Sequence, residues 1–297
     1  LVAEELSIQV LQDGGHISRN PEALLEIASD LLSLVDAMVQ RDLIIPVTIR
    51  RALDRMMPMI RFMRHGDGRL AVFNGASEGI DGWAETILTR DTGRNRSVTQ
   101  ASQVGYQRVH CGDTILVVDA GSTPPAEYST QAHAGCLSFE LSAGVERLVV
   151  NCGTSQTKGP EWQVAMRATA AHSTLVVADE SSAHVVSSGW TKKLLGPRLL
   201  DGPAHVECKR RESEDGVLLE LSHDGYVPRF GLSHERRLFV SHDGSDIRGE
   251  DRLHPSGQVA PGLGFAIRFH LHPSVRVQRA GSGVVLTLPG GSTWRFS

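Results

Sequence analysis

Two histidines, His133 and His172, stand at the heads of alternating, strand-like runs, and Asn151 ends a third such run between them. Antiparallel pairing brings residues far apart in sequence side by side. These three side chains could therefore converge, and imidazole is a common zinc ligand. Two histidines without a third Cys, Asp or Glu are an incomplete ligand set, and hydrogen-bonded strand ends account for the same spacing. A second cluster, Gly14-Gly15-His16-Ile17-Ser18-Arg19-Asn20-Pro21, sets His16 and Arg19 before a helix N-terminus. The free N–H groups and dipole of such an end favour anions, although capping by Asn20 explains the same composition. Tyr226 in His223-Asp224-Gly225-Tyr226 offers a phenol for proton exchange or a packed strand edge. His234 and Arg236 share one strand face, as do His270 and His272. There is no G-x-S-x-G, Walker, G-x-G-x-x-G or H-E-x-x-H sequence, which leaves nucleotide chemistry and the familiar hydrolase motifs unsupported.

The elements that would position these groups change type along the chain. Residues 1 to about 65 have helical periodicity. Asn20 and Pro21 are an N-cap and first helical position, followed by an apolar stripe through Leu24, Leu25, Ala28, Leu31 and Val35. A further helix carries Ile49, Leu53, Met56, Ile60 and Met63 on its apolar side and mostly arginine elsewhere. From about Ser102 the period falls to two. Thr114–Asp119, Leu137–Leu141, Arg147–Asn151, Thr174–Ala178, Val217–Leu221, Arg236–Val240 and Phe265–Leu271 all alternate, with Gly-rich turns between. The expected class is α+β: a helical region over 1–98, then a large antiparallel β-sandwich over 99–297. The polar stretch 91–100 is the expected boundary.

The chain has 297 residues, 40% hydrophobic and 22% charged, with a formal net charge of −4. That balance lacks the basic excess of a nucleic-acid binder. No apolar run approaches the roughly 18 residues of a membrane span. Four cysteines, Cys111, Cys136, Cys152 and Cys208, form no C-x-x-C pair, so a Cys-only zinc site is not expected. The first residue is Leu1 rather than Met, and the sequence reads as part of a longer chain.

The segment Asp13 to Pro21 resembles the D-G-G-H-x-x-R-x-P segment of the heparinase II/III-like polysaccharide lyases. His133-Ala134-Gly135-Cys136-Leu137-Ser138-Phe139-Glu140-Leu141 is similar to that family's H-A-D-x-x-S-F-E-L strand. Val149 to Thr154 resembles its V-D-x-G-T strand, and Arg167 to Val177 its R-x-T-x-A-H-N-T-V-V run. The resemblance implies the end of an incomplete (α/α) toroid followed by the sandwich, and an acidic polysaccharide as partner, in the periplasm or cell envelope. It also implies cleavage of uronic-acid polysaccharides by β-elimination. That reaction removes a weakly acidic proton beside a carboxylate, so polar groups must stabilise an enolate while a base and an acid move protons. The family's zinc, held by two His and an Asp, would fall on His133, His172 and Asn151.

The departures from this pattern bear on activity. The family's catalytic His position is Gln131, its toroid Tyr falls on Ala23, and its zinc Asp on Asn151. Gln cannot exchange protons near neutral pH. Two expectations follow. One is an altered lyase in which His16, Arg19 and Tyr226 take catalytic roles while Gln131 and His133 contact substrate. The other is a non-catalytic relative that binds an acidic glycan. Zinc is expected to be weak or absent, because Asn151 offers only a neutral carbonyl.

Overall fold

The computed structural model describes residues 1–91, 98–155, 157–186 and 189–297. Helices come first, at Val2–Gln9, Pro21–Val39, Val47–Phe62 and Trp83–Leu88. The long helix starts where its cap residues place it. Asn20 Oδ1 accepts from the N–H groups of Glu22 (2.8 Å) and Ala23 (3.2 Å), and so satisfies two donors that the first turn leaves free. Its stripe of Leu24, Leu25, Ala28 and Leu31 packs with Met56, Met59, Ile60 and Met63. Antiparallel strands dominate after residue 100, and the class is α+β as expected. Of the stretch 91–100 expected as a boundary, residues 92–97 lie outside the described residues.

A six-stranded sheet runs in spatial order Gln100–Ala101, Tyr106–Cys111, Thr114–Asp119, Phe139–Ala143, Glu146–Val150, His270–Leu271. A four-stranded sheet runs Ile247–Pro255, Leu232–Ser241, Gly216–His223, Val206–Glu212. Every residue of Thr114–Asp119 is buried. Its alternation explains why: Ile115 and Val117 join the helical core, whereas Leu116 and Val118 join the core shared with the second sheet. A strand covered on both faces reads as a continuous apolar run, here TILVVD. The layers are thus helices, sheet, sheet.

The second sheet differs from expectation at its edges. Val206–Glu212 and Ile247–Pro255 are strands that hydrophobic alternation did not indicate, because their sequences, VECKRRE and IRGEDRLHP, are dominated by charge. Both are edge strands, where charged side chains block pairing with other chains. Phe265–Leu271, expected as one strand, divides in two. Phe265–Ile267 pairs with Leu175–Val177, while His270–Leu271 pairs with Val149–Val150. His270 and His272 consequently have different partners. His270 Nε2 donates to Ala170 O (2.9 Å), and His272 Nε2 lies 3.5 Å from Glu78.

His234 and Arg236 do share a strand face, and both meet Asp251 on the neighbouring strand. Arg236 is 1% exposed. Its Nε and Nη2 donate to the two Asp251 oxygens at 2.7 and 2.9 Å, and Nη1 donates to Leu137 O and Ser173 O. Burial alone would raise the Asp251 carboxyl, but bonds from His234 and Arg236 hold it down at about 2. Gly225 N–H donates to His223 Nδ1, so in neutral His223 the proton is on Nε2, which faces His234 Nδ1 at 3.3 Å. His234 Nε2 in turn donates to Asp251 Oδ1 at 2.7 Å. Removing one member of a buried pair strands the other charge without water. Asp251→Ala is therefore expected to lower the unfolding free energy by about 3–5 kcal/mol, read from denaturant titration. A loss below about 1 kcal/mol, the level of an exposed ion pair, would show that this buried pair does not stabilise the folded chain.

Candidate functional site

Gln131 and His133 lie on the segment that leads into strand Phe139–Ala143. Gln131 is exposed and His133 is buried. Gln131 Oε1 accepts from Asn20 Nδ2 at 3.3 Å, so the cap of the long helix meets this segment directly. Gly75 closes the other side. Its φ is +91°, and a Cβ there would lie 2.8 Å from Gln131 O. A side chain is thus excluded by both backbone conformation and space. Neighbouring Asn74 supplies a defined relay. His133 N–H donates to Asn74 Oδ1 (3.1 Å), Asn74 Nδ2 donates to Tyr106 Oη (2.8 Å), and Tyr106 donates to Arg19 O (2.6 Å). Ala23 lies in the first turn of the same helix and offers only a methyl group. The edge formed by Asn20, Ala23, Gly75 and Gln131 can donate and accept hydrogen bonds, but holds no group that titrates near neutral pH.

The expected convergence of His133 and His172 is present, and Asn151 is tied to the same segment through Ser173. His133 Nδ1 and His172 Nε2 are 3.0 Å apart, with the rings edge to face. Ala168 O can only accept, so the His172 proton sits on Nδ1 (2.8 Å) and His133 Nδ1 donates to His172 Nε2. Burial lowers both imidazoles, His172 to about 4, and keeps them neutral. Asn151 Oδ1 accepts from Ser173 N–H (3.0 Å), and its buried Nδ2 has no acceptor among the described residues. An amide presenting a bare donor is the wrong polarity for a cation. Gly135, where the resemblance implies Asp, cannot supply the carboxylate either. A Cβ there would lie 2.7 Å from the His172 ring. Among the described residues no group of three His, Cys, Asp or Glu gathers as a metal site. The residues present do not fit the zinc that the resemblance implies.

Of the three proposed catalytic groups, His16 and Arg19 line one small pocket beside Asn20 and Tyr106, whereas Tyr226 packs in a different cluster. His16 is buried between Ser18 Oγ (2.6 Å) and Gln9 Oε1 (3.2 Å), and burial lowers its pKa to about 4. Arg19 has five N–H donors, and all five have acceptors: Val104 O, Gly121 O, Ser122 O, Gly105 O and Asp119 Oδ1. It has no donor left for a substrate and braces the helical loop to the sheet. Tyr226 packs in a separate cluster with Leu175, Val177 and Leu232. It is fully buried and donates to Leu175 O (3.0 Å), and burial pushes its phenol upward, away from any role as a base near neutral pH.

Sequence reasoning gave no role to three groups that shape this region. Glu140 accepts from Val72 N, Asn151 N and His65 Nε2, at 3.0, 2.9 and 3.2 Å. Burial would raise this carboxyl, but the His65 bond and the nearby Arg147 hold it below the usual range. Arg167 donates to Ala132 O, Ser129 O and Pro197 O, and thereby holds the backbone on both sides of Gln131. Asn74 is the hub of the relay. The available signal was a charge inside an apolar strand, Phe139-Glu140-Leu141, and an Asn-Gly turn at 74–75.

The profile described as "Heparinase II/III-like, C-terminal" matches residues 93–297. FtsZ-localized protein C of Caulobacter vibrioides is 38% identical over 98% of the chain and 51% of that protein. A crystal structure of heparinase III superposes with a TM-score of 0.72 at 14% identity, covering 98% of this chain and 48% of that one. The heparan sulfate lyase HepC of Pedobacter heparinus gives 0.72 at 15%, covering 98% and 46%. The chain spans about half the length of the relatives it matches. The structural likenesses, all this low in identity, establish the fold.

Two measurements check the site. Elemental analysis of purified protein is expected to find zinc well below one atom per chain; stoichiometric zinc that disappears in His133→Ala would reverse that assignment. The second concerns His16, whose folded pKa of about 4 lies below the unfolded value of 6.5. Its stabilising effect is fully present above pH 6.5 and declines as pH falls towards 4, because the unfolded chain takes up the proton first. Between pH 7.5 and 5 this amounts to up to about 2 kcal/mol. His16→Gln should lose correspondingly less stability over that interval, and equal losses in both proteins would show that His16 stays protonatable when folded.

Proposed function

Because the chain belongs to the heparinase II/III-like family, we propose that it retains the family's sandwich as a recognition module for an acidic glycan and does not cleave it. The observation that carries this reading is the Asn20–Gln131 hydrogen bond, with Ala23 in the same helical turn. One amide, Gln131, and one methyl group, Ala23, occupy the positions where the family's pattern has the proton-transferring His and Tyr, and the amide that meets Gln131, Asn20, does not titrate either. An amide can hold a sugar hydroxyl or carboxylate by hydrogen bonds, but it cannot take the proton beside the carboxylate or return one to the leaving oxygen. The remaining candidates support the same conclusion. Arg19 has spent its donors, Tyr226 is sealed from solvent, and His133 and His172 are neutral and bonded to each other.

Residues 1–98 are read as the end of an (α/α) toroid and 99–297 as the sandwich domain, with the glycan lying along the Gln131 edge between them. The 38%-identical Caulobacter relative is named for localisation with FtsZ. Carried over to this chain, that name puts its place of action at the division site, where it would recognise envelope glycan. The test uses the full-length protein and a panel of uronic-acid polysaccharides. Ultraviolet absorbance of unsaturated uronate products should stay flat on every member while at least one is bound. Product accumulation that survives repurification would establish a lyase and defeat the reading. A fluorescent fusion should gather with FtsZ, and uniform distribution through the division cycle would remove the assigned place of action.

A further inference from the structure

The chain contains four tryptophans and four lysines. Two of those tryptophans, Trp162 and Trp190, are 60% and 73% exposed. Three of the lysines, Lys158, Lys192 and Lys193, lie within four positions of one or the other in sequence. An indole is among the largest apolar groups a chain can bury, so two of them left in water on neighbouring short helices call for a use. Lys158 Nζ lies 5.9 Å from the Trp162 ring centre, within reach of a cation–π contact.

The two helices also have a defined place. Trp162 lies on helix Pro160–Met166, which Arg167 follows, and Trp190 lies on helix Gly189–Leu195, which ends two residues before Pro197. The Arg167 guanidinium donates to Pro197 O at 2.6 Å and to Ser129 O and Ala132 O at 3.0 and 2.8 Å. One side chain thus ties the Trp162 helix to the end of the Trp190 helix and to the backbone on both sides of Gln131.

We propose that Trp162 and Trp190, with Lys158 and Lys193, form a stacking platform for a uronate-bearing glycan that continues onto the Gln131 edge. Each indole face would take the C–H face of a sugar ring, and the ammonium groups would pair with the carboxylates. The charge identifies the occupant. The exposed cations match an acidic polymer, and the contact between Lys158 and Trp162 places charge beside a stacking face. The proposal rests on the recognition reading above and adds the residues that hold the chain. Leu194, 71% exposed on the same helix, would equally suit a lipid surface, so that alternative forms an arm of the test.

Binding of the full-length protein is measured to heparan sulfate, to uncharged dextran, and to vesicles of phosphatidylglycerol and phosphatidylcholine. The wild type should bind heparan sulfate in a salt-sensitive manner and leave dextran free. Trp162→Ala with Trp190→Ala should weaken that binding about tenfold or more, as truncating an aromatic anchor does, with Lys158→Glu acting in the same direction. Both side chains are exposed, so the melting temperature should be unchanged, and Trp→Phe at both positions should restore part of the affinity. Unchanged affinity in the folded double variant defeats the platform while leaving the recognition reading in place. Failure of the wild type to bind any acidic glycan defeats both. Tryptophan-dependent binding to the anionic vesicles without heparan sulfate binding assigns the surface to lipid and overturns the proposal.

Discussion

Strand Thr114–Asp119 is buried on both faces, and this constraint orders the rest of the molecule. Leu116 and Val118 need the second sheet, and Ile115 and Val117 need the helices. Neither layer could be removed without exposing apolar area worth about 25 cal/mol for each Å². The sheet is therefore the middle of three layers, and its two surfaces are chemically different. The face towards the second sheet is closed mainly by Leu, Val and Phe. The face towards the helices carries a seam of buried charge.

That seam depends on pairing. Arg19 meets Asp119, Glu140 meets His65, and Arg147 meets Asp67, each joining the helical region to a strand or the turn before one. A buried charge without a partner costs several kcal/mol, so each of these contacts favours one docking geometry over nearby ones. Arg108 adds bonds to Phe62 O and Arg64 O at the end of a helix. The polar seam makes the docking specific, and the apolar core between the sheets provides most of the burial.

The same economy explains why the residues most suggestive of chemistry turn out to be braces. Arg19, Arg167 and Arg236 direct their guanidinium groups chiefly at backbone carbonyls and a carboxylate. A planar fork of five donors is well suited to holding several loops at once. His133 and His172 close on each other in a pocket too buried for either to carry charge. What remains open to solvent at the Gln131 edge is an amide, a group that donates and accepts hydrogen bonds and does not titrate near neutral pH.

The amino-acid sequence by itself determined the order of helices before strands, the cap at Asn20 and the likeness carried by four segments. These are local properties, expressed in period and spacing. It also placed His234 beside Arg236, since alternation alone puts residues two apart on one face. The burial of Thr114–Asp119 on both faces, read from the sequence only as one alternating run among several, was decided by the layers packed on it. The sequence could not indicate the charged edge strands, which lack the apolar alternation that marks a half-buried one, nor the break within Phe265–Leu271, which two different pairing partners impose. The roles of Arg19, Tyr226 and Glu140 were likewise decided only by tertiary structure. Whether an arginine or a phenol acts on a ligand depends on how many of its donors the fold has already used, and that number is set by carbonyls and carboxylates up to about a hundred residues away.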